Sequence, residues 1–527
     1  MVLDLLLKNA RIVDGTGAPW FRGAVGVEDG TITTVRRETS PNITANETFN
    51  LGDMILAPGF IDTHSHSDLI LFDEPTLTPK IRQGVTTEIL GQDGFSMAPM
   101  FREGGSEEWE EHLSGLDGRA DCEWGWGSIS NYLDAIAENG LASNVATLVG
   151  HGTVRFNILG MDDRHPSESE LNEMAGLVTE ALEEGAIGLS TGLVYTPQTN
   201  AETHEVQTLA SQLRPYGRPF VAHIRNESDE IWSALDEFIE IGAETGVPLH
   251  ISHFKLVDRP QHGKAERILN RFEIARERGI DITADQYPYC AGSTMLASHL
   301  PPWARTDGSE QTLDYLKNES SRTRIRDYLE EQREDWNRVV VSYVASEENN
   351  YLEGMSIEEI ADDYTEDPIT VIMDLLLEER LEVSRIRHMS KEEDVQEILK
   401  HERTAVATDG LLVGNPHPRS YGTYPRVLGH YTRDENLFSV EEAVRMMTSL
   451  PARAMGLHQK GVIRTGMDAD FVVFDPSIVE SPATYQDPKQ YPEGMPHVFV
   501  GGTFVVRDGE VTAETPGDVI RKGVSDD

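Results

Sequence analysis

Two cysteines in 527 residues, Cys122 and Cys290, are too few for a disulfide framework or a thiolate-rich metal site. No run of 18 or more apolar residues occurs, so the sequence offers no membrane-spanning helix. The opening MVLDLLLKNARIVDG lacks a basic leader, a long apolar segment and a small-residue cleavage site. It reads as a strand rather than a secretory signal, and a cytoplasmic protein is expected. Positive charge is scarce. Against 90 Asp and Glu stand 45 Lys and Arg, ten of them Lys, for a formal net charge of −45. Such a chain repels nucleic acid and anionic membranes, so neither is expected as a partner. The acidic residues are spread along the chain rather than gathered in a tail. A dispersed, lysine-poor acidic surface suits concentrated salt, where the screening length falls to about 3 Å near 1 M, and a halophilic host is expected.

What the chain does contain is a repeat. From residue 59 onward, apolar β-branched runs alternate with amphipathic helical segments. In SESELNEMAGLVTEALEEG, residues 167–185, Leu171, Met174, Val178 and Leu182 recur at helical spacing. Ser167 with Glu170 forms a capping box, and Gly185 supplies the stop. Strand ends are readable at His64/His66, Asp93, His151, Ser190, His223, His253, Asp285 and Asp409. Spacing of about 30 residues in the middle of the chain is that of one strand–helix unit in a parallel sheet. Eight units predict an α/β fold, a (β/α)8 TIM-like barrel spanning 59–455. Its catalytic groups would sit at the C-terminal strand ends. An open doubly wound sheet is the competitor, but gives no reason for His or Asp at nearly every strand terminus. Residues 1–58 and 456–527 hold short alternating strands with Asp-Gly turns, which predict one small composite β-sandwich domain. Residues 296–400, between strands 7 and 8, are too long for a simple connection and read as an insertion or lid near the active face.

The stretch GFIDTHSHSDL, residues 59–69, places His64 and His66 two apart, on one face of a strand end. Strand ends of one barrel surround one mouth, so His64, His66, Asp93, His223, His253 and Asp409 should be neighbours. Four imidazoles and two carboxylates suit one or two first-row divalent ions, with zinc expected. His151 fits structural support as readily as substrate contact. His165, His204 and His417 lie in polar stretches and are expected to be solvated.

The order His-x-His, His, His, Asp on a barrel resembles the amidohydrolase superfamily. Within it, GFIDTHSHSD, GVTTEILGQDGFS, LVGHGTVR, GAIGLSTGLVYTP, HIRNE, ISHFK, DQYPYCAGST, ATDG, HPRSYGTYPRVLG and MTSLPARAMGL resemble the N-acyl-D-amino-acid deacylases (D-aminoacylases) along nearly the whole chain. GVIRTGMDADFVVFDP is similar to the superfamily's C-terminal β-segment. The resemblance implies metal-dependent hydrolysis of the amide bond of small N-acyl-D-amino acids. His223, His253 and Asp93 would hold a tight Zn2+, and His64, His66 and Asp409 would line a second, weaker position. Asp409 would also be the catalytic proton-transfer group. Lys255, Tyr287, Ser293 and Arg419 would bind the substrate's α-carboxylate, which a guanidinium can grip bidentately. One departure concerns Asp93, where several deacylases carry a cysteine ligand; a carboxylate is harder and shifts metal preference. A cyclic-amide hydrolase of the hydantoinase or dihydroorotase kind is the alternative. Those enzymes usually carry a carboxylated lysine on the fourth strand, and AIGLSTGL has none. A non-catalytic relative keeping the barrel as a binding module would have lost its ligands, and this chain keeps a full set. Oligomeric state is not legible.

Overall fold

The computed structural model describes residues 2–122, 124–306 and 308–522. Met1 and residues 523–527 of the expected terminal β-domain, and Asp307 of the expected insertion, lie outside the described residues. Among the described residues no helix is long and apolar enough to cross a membrane.

The eight strand ends read from the sequence correspond to parallel strands: β1 (Phe60–Asp62), β2 (Val85–Leu90), β3 (Asn144–Thr147, continued by Val149–Gly150), β4 (Leu189–Gly192), β5 (Phe220–His223), β6 (Leu249–Ile251), β7 (Ile282–Gln286) and β8 (Thr404–Val406). One sheet runs from β1 through β2 to the first half of β3, and a second runs from the rest of β3 through β4, β5, β6 and β7 to β8. Between the two outer members, β8 and β1, a parallel bridge joins Ser65 to Gly410, and Asp409 N donates to His64 O at 2.9 Å. All eight strands are buried residue for residue, as expected of strands covered on both faces.

Helices follow the strands where periodicity places them. The best defined, α1 (Glu168–Glu183), starts at Ser167, whose hydroxyl accepts from Glu170 N while the Glu170 carboxylate accepts from Ser167 N. That reciprocal cap satisfies two otherwise orphaned donors and is worth about 1 kcal/mol. Its buried face is Leu171, Met174, Ala175, Val178, Ala181 and Leu182, the set the periodicity selects.

Strands from both ends of the chain make one nine-stranded sheet. Ile55–Pro58 pairs antiparallel with Phe471–Phe474, which joins the N-terminal strands to the C-terminal ones. Two Asp-Gly turns work as read: Asp29 and Gly30 have φ of 49° and 70°, Asp508 and Gly509 53° and 82°. Positive φ at both central residues is what a tight hairpin needs to match strand twist. Between β7 and β8 a separate three-stranded antiparallel sheet, ordered Ala291–Met295, Val383–His388, Val339–Val344, is surrounded by helices with their own apolar core.

Candidate metal centre and active site

The candidate ligands lie just beyond the strands, not within them. β1 ends at Asp62, so His64 and His66 are placed by the Ser65–Gly410 bridge rather than by strand pleat alone. Their Nε2 atoms nonetheless lie 3.3 Å apart. Beneath them a fully buried ammonium organises the floor. Lys80 Nζ lies 2.7 Å from Asp62 Oδ2, 2.7 Å from Thr408 Oγ1 and 3.0 Å from Ser65 Oγ, with Glu88 Oε2 at 3.5 Å. Asp62 in turn accepts from Thr408 N at 2.8 Å. The cluster therefore ties the turns carrying His64, His66 and Asp409 to one charge. Asp285, a strand-end residue outside the expected ligand set, accepts from His253 N at 2.6 Å and from Thr63 Oγ1 at 2.7 Å.

Three residues of the site also have strained backbone. Asp93, His253 and Asp409 have φ of 55°, 35° and 48°. Left-handed backbone at non-glycine residues costs on the order of 1–3 kcal/mol each and persists where the surroundings over-determine it. Each turn aims a side chain across the mouth instead of along the strand.

The donor atoms converge. Asp93 Oδ1 lies 3.7 Å from His64 Nε2, 3.8 Å from His223 Nδ1 and 3.7 Å from His253 Nε2. Asp409 Oδ1 lies 3.7 Å from His64 Nε2 and 3.4 Å from His66 Nε2. Asp93 Oδ1 and His223 Nδ1 are buried with no hydrogen-bond partner among the described residues. Buried polar atoms left without a partner are rare and call for an explanation; a shared cation supplies one. Three triads bring their ligand atoms within 4.8 Å: His64–His66–Asp409, His64–Asp93–His253 and His223–Glu227–His253. The electrostatics agree. Burial pulls His223 down to about 4, leaving the neutral imidazole that binds metals. Burial opposes charging His66, but Asp117 and Asp409 outweigh it and push His66 up to about 10. Burial would likewise raise Asp93, yet His64 and His253 hold it well below the usual carboxylate range. The pocket thus draws positive charge, and its nitrogen and oxygen donors, with no thiolate, fit a first-row divalent ion.

A cavity of about 380 Å3 opens above these groups, lined by His66, Asp93, His223, His253 and Asp409 on one side. Lys255, Tyr287 and Ser293 line it too. Lys255 Nζ is already paired, 2.6 Å from Glu227 Oε1. The Tyr287 hydroxyl is buried without a partner among the described residues, and burial pushes the phenol upward, so it stays protonated. Arg419 is fully buried and does not line the cavity. Its Nη1 lies 2.8 Å from Asp409 Oδ2, Nη2 donates to Ser293 O at 3.1 Å, and the guanidinium sits 4.6 Å from the Tyr287 ring centre.

Three groups escaped the sequence reading. Glu227, four residues after His223, lies 3.0 Å from His253 Nδ1 and 3.6 Å from His223 Nε2; its place in HIRNE was the available signal. Asp117, at the end of the acidic helix Gly105–Asp117, lies 3.4 Å from His66 Nδ1. No periodicity could single it out. His417, expected to be solvated, is fully buried: Nε2 lies 3.0 Å from Ala291 O, and Nδ1 accepts from Arg419 N. His165 and His204 are exposed, as expected. His151 takes the structural alternative, held between Thr191 Oγ1 and Glu205 Oε1 at 2.9 Å each, beside the buried Arg155.

Imidazoles and carboxylates converging at the C-terminal ends of parallel strands define an α/β fold of the TIM-barrel type whose site fits a divalent metal. Comparison with known proteins gives the family. The amidohydrolase family model matches residues 47–506. The chain is 33% identical to a D-aminoacylase of Alcaligenes xylosoxydans xylosoxydans over 98% of both chains. It is 32% identical to the N-acyl-D-glutamate deacylase of the same organism, over 99% of this chain and 97% of the relative. Among solved structures, the N-acyl-D-glutamate deacylase of Bordetella bronchiseptica, complexed with zinc and a phosphonate mimic of the tetrahedral intermediate, superposes with a TM-score of 0.86. It has 31% identity, over 99% of this chain and 100% of that one. The protein belongs to the amidohydrolase family.

Proposed function

We propose that this enzyme hydrolyses the amide bond of N-acyl-D-amino acids, releasing a carboxylate and a free D-amino acid. The observation that carries the reading is Asp93 Oδ1, unpartnered and within 3.8 Å of imidazole nitrogens from three different strand ends. Its setting is a chain about one-third identical to deacylases over its whole length.

His223, His253 and Asp93 are the residues we assign to a tight zinc ion, and His64, His66 and Asp409 to a second, weaker position. A divalent ion there supplies a Lewis acid that acidifies water and polarises the amide carbonyl. Asp409 is the proton carrier. Burial would raise its carboxyl, but Arg419 and His64 pull it far below its usual range, so it is ionised at neutral pH. Arg419 restrains Oδ2, which leaves Oδ1, facing the imidazoles, to take the proton of the attacking water. From Oδ1 the proton passes to the departing amine nitrogen. Glu227 orients His253 through Nδ1, leaving Nε2 toward Asp93. Lys255, the Tyr287 hydroxyl and Ser293 receive the α-carboxylate, with Arg419 holding Ser293 and Tyr287 from behind.

The finer architecture follows the same reading. The two parallel sheets form one eight-stranded barrel closed at the Ser65–Gly410 bridge, with 59–455 as the catalytic unit and 296–400 as a lid. Residues 1–58 and 456–527 make a small β-sandwich. The charge of −45 points to a cytoplasm rich in salt. The cyclic-amide alternative lacks its lysine: β4 reads Leu-Ser-Thr-Gly.

Metal analysis by mass spectrometry, combined with turnover of N-acetyl-D-methionine and its L-enantiomer, tests the reading. Bound zinc with D-selective hydrolysis is the expected result. Absence of hydrolysis by the metal-loaded enzyme, or activity only on cyclic ureides, overturns it.

A further inference from the structure

Ser190 ends β4 without offering a metal donor of the imidazole or carboxylate kind, and it does not line the cavity of the candidate site. It is nonetheless fully buried, as is Gln198 in the loop that follows β4. Both side chains turn toward Asp93. β2 stops at Leu90. Phe95 N then donates to Gln92 O at 2.8 Å, closing a tight turn whose central residues, Asp93 and Gly94, have φ of 55° and 80°. The peptide group between those two residues sets the direction in which the Asp93 side chain leaves the turn. Both of its polar atoms are held from the β4 side. Ser190 Oγ accepts from Gly94 N at 3.0 Å, and Gln198 Nε2 donates to Asp93 O at 2.8 Å. The Ser190 hydroxyl in turn donates to Gly91 O at the entry of the turn. Among the described residues no other side chain hydrogen-bonds to that peptide group.

The seat is close-fitting. A Cβ on Gly192, the last residue of β4, would stand 2.4 Å from Asp93 O, and a Cβ on Gly150, at the end of β3, would stand 2.4 Å from Gly94 O. The turn therefore crosses the end of β3 and lies against β4 with no space for a side chain between them. β4 is also tied to a second candidate ligand. Gly192 stands opposite His223 in the parallel register with β5, and Leu193 N donates to His223 O at 3.1 Å. One strand end thus holds the Asp93 turn through side chains and His223 through backbone. The separation of the two donors, 3.8 Å from Asp93 Oδ1 to His223 Nδ1, is set through it.

We propose that Ser190 and Gln198 are positioning residues for Asp93, which hold its carboxylate at the distance from His223 and His253 that a shared divalent ion requires. This rests on the reading of Asp93 as a ligand of the tighter metal and deepens it. A ligand on a left-handed turn is only as well placed as the bonds that hold the turn. Partners of this kind, one bond removed from the ion, orient the ligand before the ion arrives.

Chelator competition on the zinc-loaded protein tests this. Ser190→Ala removes both bonds to the turn, and Gln198→Met keeps the volume but removes the amide. Each should lower Zn2+ affinity by about 10–100-fold, and either variant alone suffices should the other not fold. Thr191→Val is the control. Thr191 is the next residue on β4 and equally buried, but its hydroxyl meets His151 Nδ1 at 2.9 Å. That variant should lower the urea midpoint and leave Zn2+ affinity at its native value. The visible absorption of the Co2+-loaded protein gives a second reading: it should change in Ser190→Ala and Gln198→Met and stay native in Thr191→Val. Native affinity and spectrum in the first two variants, or an equal loss in Thr191→Val, overturns the positioning role. Asp93→Ala separates this from the reading beneath it. Weakened Zn2+ binding there, with native binding in Ser190→Ala and Gln198→Met, overturns the positioning role alone. Native binding in Asp93→Ala removes Asp93 from the metal site, and both readings fall together.

Discussion

Replacing Lys80 with Met should be among the most destabilising single changes in this protein. The side chain is fully buried, and its ammonium is the ion-pair partner of both Asp62 and Glu88. Burial by itself disfavours the charged amine, but Asp62 and Glu88 outweigh it and raise Lys80 above its ordinary value. A raised amine contributes stability that is complete below the ordinary lysine range and is lost as pH rises through the higher folded value. The contribution should therefore be constant from pH 6 to 9. Methionine fills the volume and leaves two carboxylates uncompensated in the interior, a situation that costs about 3–5 kcal/mol. Against a typical total of about 5–15 kcal/mol that is severe. Equilibrium urea unfolding at high, fixed KCl, followed by tryptophan fluorescence, gives the difference. A triple variant, Lys80→Met with Asp62→Asn and Glu88→Gln, removes the stranded charges and should recover most of the loss. A single variant within 1 kcal/mol of the native protein, or a triple variant no better than the single, would refute the reasoning.

Four further outcomes can be checked. Asp409→Asn should fold and retain its tighter metal by mass spectrometry, yet lose about 10²–10⁴-fold in kcat as a lost proton carrier does; near-native turnover removes Asp409 from the mechanism. Glu227→Gln weakens the carboxylate that orients His253, so competition with a chelator should show metal affinity lower by about 10–100-fold; unchanged affinity would leave Glu227 only as the partner of Lys255. Glu205→Gln strands the buried Arg155 and should cost about 3–5 kcal/mol at pH 7. Burial would raise Glu205, but His151 and Arg155 hold it below the ordinary glutamate value, so its contribution is present above that value and fades as pH falls through the lower folded one. A stability difference that instead grew on acidification would contradict this. Finally, the −45 charge predicts that the thermal midpoint climbs steeply from low salt to 2 M KCl; a flat response would sink the halophilic reading.

Helix α1 shows how far the sequence could be read. Its cap, buried face and stop are local and repeat every three or four residues, so Ser167, Glu170, Val178 and Gly185 announce themselves. The strand ends were legible for a similar reason: apolar runs break off at Ser, His or Asp, about 30 residues apart from Ser190 to Asp285. His417 shows the opposite. Its neighbours in the chain are polar, and only tertiary contacts bury it: the Tyr289 and Tyr485 rings and hydrogen bonds with Ala291 and Arg419. Asp117 and Glu227 were hidden because a carboxylate in an acidic chain carries little information until something faces it.

The sequence by itself determined the repeating strand–helix order, the residue types gathered at strand ends and the excess of negative charge, because each is set by local spacing or by composition. Tertiary structure alone decided which charges meet. It swung Asp93, His253 and Asp409 through left-handed turns toward one another and buried Lys80 against two carboxylates. Pairing of charges depends on distances between segments hundreds of residues apart, and no pattern along the chain encodes those distances directly.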